Sequence, residues 1–172
     1  MRLLVVIAPE QFRDEELFEP ISLFRTEGIE FEIASTRTGT ARGMMGGRAE
    51  ASLYLDDVRT ERYDGIVIVG GIGAEKHLWG SGQLRDLIRR FDRDGKLLAA
   101  ICLSPVALGR AGALKGKRAT VFRTAGTLQE MSSCGALASS EDVVVDGRVI
   151  TANGPAAARR FGEEIVKLLK KK

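Results

Sequence analysis

The chain has one histidine and two cysteines in 172 residues. That is too few, without metal-ligand spacing, for a zinc site. Two cysteines, Cys102 and Cys134, also fall short of a disulfide framework, which points to reduced thiols. No apolar run approaches the roughly 20 residues that span a bilayer. A signal-peptide pattern is missing too, because the six apolar residues Leu3–Ala8 are followed at once by charges. These absences together predict a cytoplasmic protein. Strong charge of one sign is also lacking. The formal net charge is +3 and the basic residues are scattered, so there is no case for nucleic acid. The basic stretch Lys167–Lys172 reads as the solvated last turn of a helix, where cations are favoured. With no linker, repeat or low-complexity segment, residues 1–172 read as one domain, long enough for its own core. The composition, 44% apolar and 28% charged, is that of an ordinary globular chain.

What is present is an alternation of short apolar runs and amphipathic stretches. Arg2–Ala8 and Ile66–Val69 are continuous apolar runs and read as strands buried on both faces. Ile29–Ser35 alternates and reads as a strand nearer an edge. Asp14 is placed to cap a helix from Glu15 to about Gly28, with a kink expected at Pro20. Thr36–Leu55 reads as a twisted hairpin excursion and Asp56–Tyr63 as a short helix or turn. Ser81–Asp94 is amphipathic, with Leu84, Leu87, Ile88 and Phe91 on one side. Lys117–Phe122 reads as a strand and Gly126–Ser133 as a helix. Val143–Val145 and Arg148–Ile150 flank Asp146-Gly147, a hairpin signal. A last helix is expected from Pro155 to the C-terminus. Such alternation implies an α/β fold, a mostly parallel sheet with helices on both faces. Ligands then bind outside the carboxyl ends of the strands.

Three stretches fall on that edge: the loop after the first strand, Gly70-Gly71, and Cys102. Leu97–Ile101 is a five-residue apolar run after the turn pair Asp94-Gly95. Ser104 is a good N-cap, and Pro105 then suits the first position of a helix over Val106–Ala111. Cys102 therefore lies at a strand–helix corner, as in a nucleophile elbow. The helix dipole there favours a thiolate, and the following amides can hold an oxyanion. A buried, inert cysteine fits this stretch equally well.

Around the corner lie further candidates. Glu15 and Glu16 begin the first helix on the same edge, where one carboxylate could face the thiol; acidic residues also enrich the first turn of any helix. Gly70-Gly71 lets backbone approach a ligand, and an amide there could join that of Leu103. His77 follows this loop and is either the base of a Cys–His pair or a surface residue. Trp79 reads as a packing or subunit-contact aromatic. Cys134, beside Ser132-Ser133 at a helix end, reads as structural. The dinucleotide fingerprint fails because Lys76 stands at its third glycine position, and a Walker A loop fails because Gly112 and Gly116-Lys117 are one residue too close. No cofactor is expected.

Val69-Gly70-Gly71, Ala99-Ala100-Ile101-Cys102 and Phe12-Arg13-Asp14-Glu15-Glu16 after a first strand resemble, in that order, the ThiJ/PfpI superfamily of intracellular proteases and deglycases. The resemblance extends to Gly112–Lys117 and the closing hairpin. It implies a flavodoxin-like sandwich, Cys102 as nucleophile, and Glu16 as a protonated carboxyl bonded to it. It further implies an oxyanion pocket from the Gly71 and Leu103 amides, a homodimer or larger assembly, and a glutamate at Glu75 completing a neighbour's site. Protease-like members carry histidine directly after the cysteine; this chain has Leu103. The resemblance therefore favours a glyoxalase- or deglycase-like enzyme that converts small reactive carbonyls, methylglyoxal to lactate. Oxidation sensing through Cys102 and peptidase activity with a non-adjacent His77 are the alternatives.

Overall fold

The computed structural model describes residues 1–171; the expected end of the last helix at Lys172 lies outside them. The chain runs β1 (Arg2–Val6), β2 (Glu10–Phe12), α1 (Asp14–Thr26), β3 (Glu30–Ser35), β4 (Gly39–Gly43), β5 (Arg48–Ala51), β6 (Leu53–Tyr54) and β7 (Gly65–Ile68). It continues through α2 (Ile72–His77), α3 (Gly82–Arg93), β8 (Leu97–Ile101), α4 (Pro105–Arg110), β9 (Arg118–Ala119) and α5 (Ala125–Ser133). It closes with β10 (Leu137–Ala138), β11 (Val143–Asp146), β12 (Val149–Ala152) and α6 (Ala158–Lys170).

Seven strands form the central sheet in the order β11-β12-β8-β7-β1-β3-β6. Every pairing is parallel except β11 with β12. The period of two divides β1 between two cores. Leu4 and Val6 join Leu84, Leu87, Ile88 and Phe91 of α3 on one face. Leu3 and Val5 join Leu17, Ile21 and Phe24 of α1 and Phe161 and Ile165 of α6 on the other. With both faces covered, strands read as unbroken apolar runs. None of the helices among the described residues is long and apolar enough to cross a membrane.

Several local expectations are corrected. Helix α1 is continuous through Pro20. The ring removes one backbone donor, but it lies buried where α6 comes close: a Cβ on Gly162 would stand 3.2 Å from Pro20 Cα. Asp14 does not cap α1. Its carboxylate instead accepts from the amides of Met45 (2.8 Å) and Gly47 (2.6 Å), tying the β4–β5 turn to the helix. Only Arg118–Ala119 of the expected strand Lys117–Phe122 pairs as a strand, with β10. Beyond it the Thr120 amide bonds Thr151 Oγ1 and the Phe122 amide bonds the Cys102 carbonyl, so the segment crosses strand ends instead of joining the sheet. Ser81, by contrast, caps α3 through its side chain, accepting from the Leu84 amide at 3.1 Å.

Candidate active site

Cys102 stands where β8 gives way to α4, with φ +65°. Only one other non-glycine residue among those described, Gln11, has positive φ. An L-residue is disfavoured there and persists only where its surroundings hold it. Three backbone bonds do so. The Cys102 amide donates to the Ala152 carbonyl (2.9 Å), its carbonyl accepts from Phe122 (2.8 Å), and the Ser104 amide closes on Ile101 (3.1 Å).

Ser104 is not a side-chain N-cap. Fully buried, its hydroxyl donates to the Val69 carbonyl at 2.7 Å. That carbonyl directly follows β7, and Gly70-Gly71 come next. The bond thus ties the loop carrying the Gly71 amide to the turn carrying the Leu103 amide. Both amides act on the Cys102 sulfur as N–H groups that favour its charged form.

The glycines are required by space. A Cβ on Gly70 would lie 2.5 Å from Cys102 Cβ and 2.5 Å from Glu16 Oε2. Gly71 has φ +103°, and a Cβ there would meet the Arg13 amide at 2.5 Å. Gly70 also donates its amide to Glu16 Oε2 at 3.0 Å, while its carbonyl accepts from the Arg13 amide at 3.0 Å.

Glu16, in the first turn of α1, is wholly buried. Its second oxygen, Oε1, has no hydrogen-bond partner among the described residues, and Cys102 is the neighbouring side chain that acts most strongly on the carboxyl. Burial pushes the Glu16 carboxyl up to about 7, against the pull of Cys102, the Gly70 amide and Arg13. Burial first, and the Glu16 anion second, push the thiol up to about 12; the Gly71 and Leu103 amides oppose them. The thiolate-favouring setting expected of a helix N-terminus is therefore outweighed by desolvation. Carboxyl and thiol titrate as a pair. With the proton on Glu16 the repulsion between the two anions vanishes, and the two amides remain to hold charge on sulfur.

Cys102 opens onto a cavity of about 220 Å³, walled by Arg13, Met44, Ile72, Phe122 and Pro155 as well as Gly71 and Leu103. Beside it, sharing Leu103 and Phe122, lies a wider groove of about 930 Å³ that contains Glu75, Trp79 and Arg110. Trp79 Nε1 donates to the Leu103 carbonyl at 2.8 Å. The Arg110 guanidinium sits 5.3 Å over the Trp79 ring and pairs with Glu130 at 2.6 Å. Trp79 thus braces the turn after the cysteine.

Cys102, Glu16, Gly70, Gly71 and Leu103 are thus brought together. Glu75 is exposed and lines the wider groove, not the wall around the thiol. His77 ends α2, where Lys76, Glu10 and Arg37 are the charges that act on it; burial lowers its pKa. It lines neither cavity. Cys134 is half-buried at the end of α5, its thiol donating to the Met131 carbonyl at 3.1 Å. Sequence reasoning did not single out Arg13 or Ser104 for the site. Arg13 could have been found from its place directly before the acidic triplet Asp14-Glu15-Glu16; Ser104 carried no such signal.

The model of the DJ-1/PfpI family matches residues 1–168. An uncharacterised protein of Methanocaldococcus jannaschii is 45% identical over 170 residues, covering 99% of this chain and 83% of that one. A deglycase of Pyrococcus horikoshii is 34% identical over 170 residues, covering 99% of this chain and 100% of that one. Among solved structures, a ThiJ/PfpI domain protein from Brachyspira murdochii superposes with a TM-score of 0.95 at 31% identity, covering 99% of this chain and 97% of that one.

Proposed function

The chain belongs to the DJ-1/PfpI family, and from that premise we propose that it is a cysteine-dependent, deglycase-like enzyme acting on small reactive carbonyls, methylglyoxal among them. One observation carries the reading. A buried carboxyl with an unpartnered oxygen and two backbone N–H donors converge on the sulfur of Cys102.

In this reading Glu16 takes the thiol proton, a task suited to a carboxyl near neutrality. The sulfur attacks the aldehyde carbon of methylglyoxal, and the carbonyl electron pair moves to oxygen, where the Gly71 and Leu103 amides receive it. Proton return gives a hemithioacetal. Moving the proton from the sulfur-bearing carbon to the adjacent ketone carbon, with Glu16 as shuttle, while the hydroxyl proton passes to the ketone oxygen, gives a lactoyl thioester. Water then releases lactate and restores the thiol. The net change is addition of one water to methylglyoxal. Release of a glycated adduct begins with the same attack. The substrate is a small molecule and no cofactor takes part.

The deglycase name of the Pyrococcus relative supports this class of activity. A peptidase built on a Cys–His pair is disfavoured, because the position after the cysteine is Leu103 and the charges acting on His77 are those of Lys76, Glu10 and Arg37. Oxidation sensing is a second reading, favoured by the same two N–H donors, which suit sulfinate oxygens as well as an oxyanion. The deciding experiment is lactate formation from methylglyoxal by wild type and Cys102→Ser. Turnover that disappears in the variant supports the enzyme. Substantial turnover in the variant rejects the mechanism. Absence of turnover in both rejects this substrate, and mass spectrometry after mild peroxide then tests whether Cys102 gains two oxygens before Cys134.

A further inference from the structure

The cavity at Cys102 has one charged side chain in its wall, Arg13; around it the wall is formed by Met44, Ile72, Phe122 and Pro155. Arg13 is held at both ends. Its backbone amide donates to the Gly70 carbonyl at 3.0 Å, which fixes the residue against the loop that carries the Gly71 amide. Its Nε and Nη2 donate to Glu15 Oε2 and Oε1 at 2.8 and 3.0 Å. Glu15 is not part of the cavity wall. The remaining nitrogen, Nη1, bonds no protein group among the described residues. A planar guanidinium fixed along one edge, with the other edge unused, is preorganised for an oxyanion ligand. The apolar wall strengthens such an attraction and offers no side chain to recognise a hydroxylated tail.

We propose that Arg13 recognises an anionic group on the substrate, so that the preferred substrates are short carbonyl compounds bearing a carboxylate. This rests on the reading of Cys102 as a nucleophile toward carbonyls, and it names the class of carbonyl. The carbonyl carbon is held at the Cys102 sulfur while the carboxylate meets the free edge of Arg13. Glu15 competes for the same guanidinium and so limits the preference. Thiol addition is unchanged: the S–C bond forms, the carbonyl electron pair moves to oxygen, and the thiol proton passes to Glu16.

Two alkylating probes isolate this recognition from turnover. Iodoacetate and iodoacetamide form the same bond at Cys102 and differ in the carboxylate, so the ratio of their rates cancels changes in thiol reactivity. Modification is read at Cys102 by mass spectrometry in wild type, Arg13→Gln and Glu15→Gln, each checked for an unchanged melting profile. The iodoacetate to iodoacetamide ratio is expected to fall about five-fold in Arg13→Gln, the size of a partly exposed ion pair. It is expected to rise in Glu15→Gln, which frees the guanidinium. An unchanged ratio in Arg13→Gln, or a fall in Glu15→Gln, overturns the proposal. Failure of the reading of Cys102 as nucleophile shows separately, as substantial turnover that survives in Cys102→Ser.

Discussion

Cys102 and Cys134 are both free thiols held close to protein, yet they face opposite kinds of polar group. Cys134 sits at the end of α5 with its S–H directed at the Met131 carbonyl (3.1 Å), and its sulfur fills the space that a Cβ on Gly109 would need. An acceptor there suits a neutral thiol. Cys102 meets two N–H donors and a carboxyl that lacks a second partner. Donors suit sulfur or oxygen carrying negative charge. Burial therefore does not distinguish a working cysteine from a structural one, and Cys102 is the more buried of the two. The sign of the surrounding dipoles does.

The sharpest way to break this comparison is to exchange the two cysteines for serine. Cys102→Ser is expected to reduce lactate formation on the order of 10³-fold or more, as loss of a covalent nucleophile does, while Cys134→Ser stays close to wild type. Comparable losses in both variants would erase the distinction. Next in size is Glu16→Gln, which keeps the shape and removes the proton acceptor. Its turnover is expected to fall by about 10² to 10⁴, the range for general acid–base catalysis, with little change in KM.

The same carboxyl predicts a pH effect on stability. Burial holds the Glu16 carboxyl at about 7 in the folded chain, above its ordinary 4.5. The folded state then binds the proton more tightly than the unfolded one. The resulting stabilisation is complete below pH 4.5 and is lost as pH rises through 7. Its span is about 3 kcal/mol. Denaturant midpoints across that window are expected to fall more steeply in wild type than in Glu16→Gln; parallel slopes would show that Glu16 does not carry a raised pKa.

A smaller effect separates two buried serines of the same chemistry. Ser104 donates to the Val69 carbonyl and Ser35 to the Ile7 carbonyl, each at 2.7 Å. Alanine at either position is expected to cost about 1–3 kcal/mol, the penalty of leaving a buried carbonyl unpaired. Only Ser104→Ala is expected to lower kcat several-fold and to shift the pH profile of Cys102 alkylation upward, because only Ser104 joins the two amide-bearing loops. Matching losses of kcat would mean that the Ser104 bond acts through stability alone.

Much of the fold was legible because it depends on local pattern. The apolar runs, the amphipathic α3, the Asp146-Gly147 hairpin and the corner at Cys102 each declare themselves within a few residues. The same holds for the site wherever steric need leaves a residue signature, as at Gly70 and Gly71. What was not legible depended on partners distant in sequence. Ser104 reads as a cap, yet the unpaired Val69 carbonyl directly after β7 takes its hydroxyl. Asp14 also reads as a cap and instead binds the β4–β5 turn, whose Met44 reaches the cavity. Pro20 reads as a kink, but α1 continues through it against α6. His77 lies on the expected edge of the sheet, and only the orientation of α2 shows that it keeps company with Glu10 and Arg37.

The central claim is that Cys102 and Glu16 share one titrating unit. Its most direct test is the pH dependence of iodoacetamide modification at Cys102, in wild type and Glu16→Gln. The account predicts an inflection near 7 in wild type, where the carboxyl titrates, and its loss in the variant. The same profile in both proteins would contradict it, and would leave Cys102 a buried thiol that titrates alone.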